Sequence, residues 1–177
     1  IRRLLLAARG NSGNIASRYF SAFYAIETPA DLKTAAKEAN AKAWSALADP
    51  RRGTMLSVFE ALEEILKSND SASDPASALR IITHLEQAVR ETRDTLPKLK
   101  QAGVVDAGAL GMYIFFEGFF YTLAGEHNRY RPVTEVFKDY LKIASSFQEE
   151  SEAGYCVDFV LEACGQSVQL RVTVSPS

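Results

Sequence analysis

The chain has 177 residues, 47% of them hydrophobic, enough for one sizeable core and a fragment of a second unit. A net charge of −2 and a pI near 5.8 argue against nucleic acid or an anionic membrane as a bulk electrostatic partner. Cys156 and Cys164 make neither a disulfide framework nor a zinc set.

No apolar run is long enough to span a membrane, since the best candidate, residues 114–124, is short and carries Glu117. No signal peptide is visible, so a cytoplasmic location is expected. The opening Ile1-Arg2-Arg3-Leu4-Leu5-Leu6 has neither Met nor a cap residue and reads as the middle or end of a helix. An upstream segment is therefore expected. Ala, Leu, Glu and Lys dominate up to about residue 148, which favours helix. A helix ends at Gly10, a loop Gly10-Asn11-Ser12-Gly13 follows, and a helix is predicted over 14–26 with Ile15, Tyr19, Ala22, Phe23 and Ile26 on one face. Thr28 to Asp31 reads as a turn and cap, and 32–47 as an Ala-rich helix. A second loop runs from Ala48 to Gly53, and Thr54 opens a helix with Leu56, Phe59, Leu62 and Leu66 inward. After a polar linker over 68–75, Asp74-Pro75 starts a helix that reaches about Leu96, with Pro97 at a kink or at the start of a short extension. Residues 101–109 form a third loop, 110–123 a helix apolar almost all round and hence buried in a bundle, and 133–147 a last amphipathic helix. Beyond Glu150 the pattern alternates: 155–161 and 167–174 read as strands, with Val168, Leu170, Val172 and Val174 on one face.

Each of the three loops puts glycine and a small polar residue beside a helix end. Gly10-Asn11-Ser12-Gly13 would offer unpaired backbone N–H groups and a positive dipole end, which suits phosphate oxygens. Taken alone it also reads as an ordinary Ser/Asn cap. Thr54 can be a simple N-cap and Met55 a core residue or one wall of an apolar slot; Asp106 can cap the buried helix or help close a pocket. His84, His127 and Trp44 read as helix-surface, turn and core residues, and the pairs Glu63-Glu64 and Glu149-Glu150 as solvated surface charges. Arg9 could reach a phosphate or neutralise the end of the preceding helix.

The three loops in this order carry a resemblance. Ala8-Arg9-Gly10-Asn11-Ser12-Gly13 resembles the ARGNSG signature of bacterial fatty acid kinases. Ala43-Trp44-Ser45-Ala46-Leu47, followed by Pro50 and Gly53-Thr54-Met55-Leu56, is similar to a second stretch of that family. Residues 96–108, ending Ala102-Gly103-Val104-Val105-Asp106-Ala107-Gly108, are similar to a third, and Gly154-Tyr155-Cys156-Val157-Asp158-Phe159 resembles the start of the family's middle domain. The nucleotide-binding subunits of dihydroxyacetone kinases are more distant relatives. Departures are Asn14 at a usually apolar position, Ala109 for a common Gly, and the stretch Leu170-Arg171-Val172-Thr173-Val174-Ser175, without histidine, where the family's strand often has two.

The resemblance implies an all-α antiparallel barrel of about eight helices over residues 1–148, followed over 149–177 by a short two-strand fragment of an α+β domain. It also implies a helix between the two strands, so residues are expected to be missing near 162–165. By the same resemblance Gly10, Asn11, Ser12 and Gly13 hold the phosphates of ATP, Thr54 and Met55 flank the nucleotide, and Asp106, Ala107 and Gly108 close its base and ribose side. The family's aspartate-rich magnesium segment lies upstream of the first motif, so no metal ligand and no catalytic residue is assigned within this chain. The implied activity is ATP-dependent phosphorylation of a fatty acid, held by a carrier protein or fused domain, to an acyl phosphate. A homodimer is a further possible assembly. The alternatives are a dihydroxyacetone kinase subunit and a non-catalytic nucleotide-binding regulatory module. A shared site requires Ser12, Thr54 and Asp106 to gather at one end of the helices.

Overall fold

The computed structural model describes residues 8–68, 72–148, 155–164 and 167–176. The helices in chain order are α1 (Gly10–Phe23), α2 (Leu32–Trp44), α3 (Met55–Lys67), α4 (Pro75–Thr95), α5 (Pro97–Ala102), α6 (Ala107–Leu123) and the single turn α7 (Val133–Val136). Short 3₁₀ turns cover Pro29–Asp31 and Lys138–Tyr140. Local chemistry sets most of these bounds. Thr28 and Asp31 form a capping box ahead of α2. Asp74 accepts from Ser77 N at 3.0 Å with Pro75 in the first turn of α4. Pro97 cannot continue α4 and instead opens α5.

From α1 to α5 consecutive helices pack as neighbours, and α6 returns against α3 and α4. Aromatic side chains add α1 to that contact. Tyr19 stacks on Phe59 with ring centroids 3.7 Å apart and meets Phe116 edge-on at 6.0 Å, while Phe23 meets Phe116 at 5.6 Å and Phe119 at 5.5 Å. Leu56, Phe59, Leu62 and Leu66 are buried as their spacing predicts. The result is a helical bundle with its core between α1, α2, α3, α4 and α6. Among the described residues five helices exceed ten residues.

Three expectations need correction. Helix α1 begins at Gly10, so the expected loop 10–13 is the helix's own first turn. Helix α6 is not buried all round: Ile114 is 47% exposed, and Phe115 and Phe119 are only partly covered. Its buried face runs through Tyr113, Phe116, Glu117 and Phe120, with Glu117 accommodated by a 3.0 Å hydrogen bond from the Tyr113 hydroxyl. The expected last helix over 133–147 is one α turn, one 3₁₀ turn and irregular chain. Tertiary bonds compete for its backbone: Val105 N donates to Tyr140 O at 3.2 Å and Ala144 N to Ala102 O at 2.8 Å. The segment straps the α5–α6 connection instead of coiling. It is held by Arg90 of α4, which is paired with Glu86 at 2.8 Å, donates to Val136 O at 2.5 Å, and lies 5.1 Å from the ring centres of Phe137 and Tyr140.

The last two described stretches form one antiparallel hairpin, β1 (Tyr155–Cys164) with β2 (Ser167–Pro176), in unbroken register from Tyr155↔Pro176 to Cys164↔Ser167. Residues 165 and 166 between the strands lie outside the described residues. Among the described residues β1 runs to Cys164, with no helix before β2.

Phe59 is fully buried between Tyr19 and Phe116. Phe59→Ala is expected to lower unfolding free energy by about 3–5 kcal/mol, measured by denaturant titration. A loss below about 1 kcal/mol would show that the α1–α3–α6 aromatic contact does not carry the core.

Candidate nucleotide-binding site

Three helices begin at the same end of the bundle. The turn before α3 is forced by Gly53, whose φ of +87° suits glycine alone. A Cβ there would also come within 2.8 Å of Leu96 Cγ and 2.9 Å of Thr95, so the turn sits flush on the C-terminal end of α4. Gly53 N donates to Ser57 Oγ at 2.9 Å, and Thr54 caps α3 by accepting from Leu56 N at 3.3 Å while donating to Arg51 O at 3.0 Å. Helix α6 is capped by Asp106, whose Oδ1 accepts from Ala109 N at 2.7 Å. This cap moves the helix start three residues ahead of the predicted one.

Helix α1 differs from both. Arg9 precedes it in extended conformation, no side chain caps it, and no acidic residue lies in its first turn. The first backbone bond of the turn is Gly13 N to Arg9 O at 3.2 Å. The N–H groups of Gly10, Asn11 and Ser12 precede that bond, at the positive end of the helix dipole.

These starts meet in a cavity of about 280 Å³ lined by Asn11, Ser12, Thr54, Met55 and Asp106 among others. Residues from all three predicted loops thus face one space. Met55 is 5% exposed and serves both as core and as cavity wall. Gly108 lies directly behind it: a Cβ there would fall 2.8 Å from Met55 Cε and 3.1 Å from Asp106 Oδ1. Ala107 is the exposed first residue of α6. Gly10 and Gly13 lie in the first turn of α1, and Gly13 packs against Ala8. Asn14 turns away and lines another cleft with Ser17 and Arg18.

The sequence reading missed five residues of this cavity, among them Leu56, which it placed only in the core. Ile15 and Leu47 add apolar wall, and Asp49 and Arg51 form an ion pair at 2.7 Å on its rim, both more than two-thirds exposed. The signal for Arg51 was its place in the turn before Gly53-Thr54; its direction toward the cavity was not in the sequence. Arg9 is exposed and is not among the lining residues. Burial pushes the Asp106 carboxyl above its ordinary range, against the lowering effect of the Ala109 and Gly108 N–H groups.

A larger cleft of about 670 Å³ runs along α3 and α4. Its charged walls are largely spoken for: Arg52 pairs with Glu60, and Glu63 binds Lys67 and Asn40 Nδ2, each at 2.6 Å. Glu63 is therefore no solvated surface charge; burial raises its carboxyl, and the bonds from Lys67 and Asn40 outweigh this and hold it low. Glu64 is exposed as expected, and Glu149-Glu150 lie outside the described residues. His84 is a partly exposed helix residue, His127 is exposed beyond α6, and Trp44 packs against the core. Among the described residues no group of three or more His, Cys, Asp or Glu side chains could hold a metal ion, and no helix is long and apolar enough to cross a membrane.

The model of the DAK2 domain matches residues 2–121, which include all three helix starts. A Mycoplasma pneumoniae protein described as an uncharacterized MG369 homolog is 32% identical over 97% of this chain and 33% of its own length. Protein YloV of Bacillus subtilis is 32% identical over 89% of this chain and 31% of its own length. A Staphylococcus aureus protein, uncharacterized protein SAUSA300_1119, is 30% identical over 89% of this chain. The chain spans about a third of the length of these relatives.

A raised carboxyl favours the fold fully below the ordinary Asp range and loses that contribution as pH rises through the raised value. Asp106→Asn keeps an oxygen for the Ala109 N–H and removes the half-buried charge. The variant is expected to melt no lower than the unmodified protein at pH 7, any gain shrinking below about pH 4. A clear drop in melting temperature at pH 7 would contradict this account of the site.

Proposed function

The chain belongs to the DAK2 domain family, and from that premise we propose that it is the nucleotide-binding part of an ATP-dependent phosphotransferase of the fatty acid kinase type. The observation that carries the proposal is the shared cavity of Ser12, Thr54 and Asp106, residues far apart in sequence. The described bundle would be part of the closed barrel expected for such a domain.

The uncapped first turn of α1 fits a polyphosphate: its N–H groups and the Asn11 and Ser12 side chains supply donors with no acidic residue in that turn to repel the anion. Gly10 and Gly13 keep the main chain of that turn bare. Thr54 and Met55 lie across the cavity, and Met55, Ile15 and Leu47 offer it apolar wall. A carboxylate facing phosphate without a cation between them would be repelled. Asp106, with Ala107 and Gly108, is therefore assigned to the nucleoside side, where it accepts hydrogen bonds from hydroxyl or amino groups. The described residues do not fit a magnesium site, so ions accompanying the nucleotide would take their protein ligands from elsewhere.

In the transfer, a carboxylate oxygen of the fatty acid would attack the γ-phosphorus. The bond from that phosphorus to the β–γ bridging oxygen would break, leaving acyl phosphate and ADP. Such chemistry needs alignment and charge neutralisation more than a protein nucleophile, which accords with a cavity of amides and hydroxyls. The fatty acid would arrive on a carrier protein or fused domain.

The test is ADP and acyl phosphate formation by the full-length protein given ATP, magnesium, fatty acid and its carrier, with dihydroxyacetone as the contrasting acceptor. Turnover with dihydroxyacetone alone would place the protein in the other branch; ADP binding without turnover on either would make it a sensor. Asn11→Ala with Ser12→Ala is expected to weaken ADP binding roughly tenfold or more with little change in melting temperature. Unchanged affinity with a large loss of stability would reduce the turn to a structural element.

A further inference from the structure

Asp106 can serve the cavity only if the short connection between α5 and α6 holds it there. That connection, residues 103–106, has two consecutive backbone N–H groups fixed by different parts of the fold. Val105 N donates to Tyr140 O of the strap at 3.2 Å, and Asp106 N donates to Thr92 Oγ1 of α4 at 2.9 Å. Thr92 is fully buried, and its hydroxyl donates to Val89 O of its own helix at 2.6 Å. Its one proton and one of its two lone pairs are thus committed. The direction of the bond to Asp106 is fixed, because a hydroxyl that donates to Val89 O must accept from Asp106 N.

Buried threonines in helices ordinarily satisfy themselves by the bond to a preceding carbonyl. Thr92 does this and in addition reaches out of its helix to the residue that caps α6. Next to it on the same end of α4, Thr95 and Leu96 bear the Gly53 turn, which delivers Thr54 and Met55. The C-terminal end of α4 is therefore the common support of two of the three helix starts, and Thr92 is its polar contact with the Asp106 connection.

We propose that Thr92 is a positioning residue for the nucleotide site: its hydroxyl fixes the Asp106 main chain so that the carboxylate both caps α6 and faces the nucleoside. This rests on the nucleotide-binding proposal above and extends it to a residue that does not line the cavity. A valine in its place keeps the shape but leaves Asp106 N–H without its acceptor in a partly buried setting, where an unpaired donor shifts to find another partner. A serine keeps the hydroxyl and loses only a methyl group.

The experiment measures ADP affinity, with magnesium, in the full-length protein and in its Thr92→Val and Thr92→Ser forms. Thr92→Val is expected to raise the Kd roughly tenfold, and Thr92→Ser to stay within about threefold. In a protein already carrying Asp106→Ala, Thr92→Val should cause little further loss, because the two act through one contact. Equal affinity of the valine form and the unmodified protein, or an undiminished loss in the Asp106→Ala background, overturns the positioning role while leaving the nucleotide site in place. No ADP binding by the unmodified protein overturns the site itself and this role with it. Should the valine form not fold, hydrogen exchange of the unmodified protein decides: a protected Asp106 amide supports the contact, and a freely exchanging one overturns it.

Discussion

The stacking of Tyr19 on Phe59, with Phe116 closing edge-on against both, is the contact on which the rest of the molecule depends. It joins α1, α3 and α6, which are separated in sequence by tens of residues, through rings that are wholly buried. Because the rings interlock, the three helices cannot slide past each other without opening voids. Their N-terminal ends are consequently brought to one end of the bundle. The candidate site is thus a consequence of how the core packs, some turns away from the cavity itself.

The electrostatics of that end follow from which helix starts are satisfied. Thr54 and Asp106 cap α3 and α6 with their own oxygens, whereas α1 has no side-chain cap. Two capped ends supply fixed walls, and the uncapped one leaves donors and a positive dipole end for an anion. The half-buried Asp106 carboxyl opposes anions on its side of the cavity, so the space is polarised, with donors toward Asn11 and Ser12 and an acceptor toward Asp106. The proposed nucleotide, with polyphosphate at one end and hydroxyl and amino groups at the other, would match such a division.

The strap over 133–147 shows where local pattern and tertiary demand part. Its residues permit a helix, yet Tyr140 O is drawn to Val105 N and Ala144 N to Ala102 O, and the guanidinium of Arg90 lies between the rings of Phe137 and Tyr140. Those bonds use backbone groups that a helix would have consumed. Glu117 makes the opposite point. A carboxylate within an aromatic run reads as an obstacle to burial, and it is accommodated because Tyr113 lies one turn earlier and donates to it.

The sequence by itself determined the helical class, the spacing of the buried faces in α1 and α3, the breaks at Gly53 and Pro97, and the strand character of the last two segments. All of these are local properties, set by side-chain periodicity and by residues with restricted or permissive backbones. It also pointed to Asn11, Ser12, Thr54, Met55 and Asp106, through residue types suited to helix starts and through resemblance. Only the tertiary structure decided that these residues share a cavity and that Ile15, Leu47, Asp49, Arg51 and Leu56 belong to it. It also decided that Glu63 is held between Asn40 and Lys67, and that the final helix gives way to a strap. Each of these depends on contacts between residues distant in the chain, whose geometry no local pattern encodes.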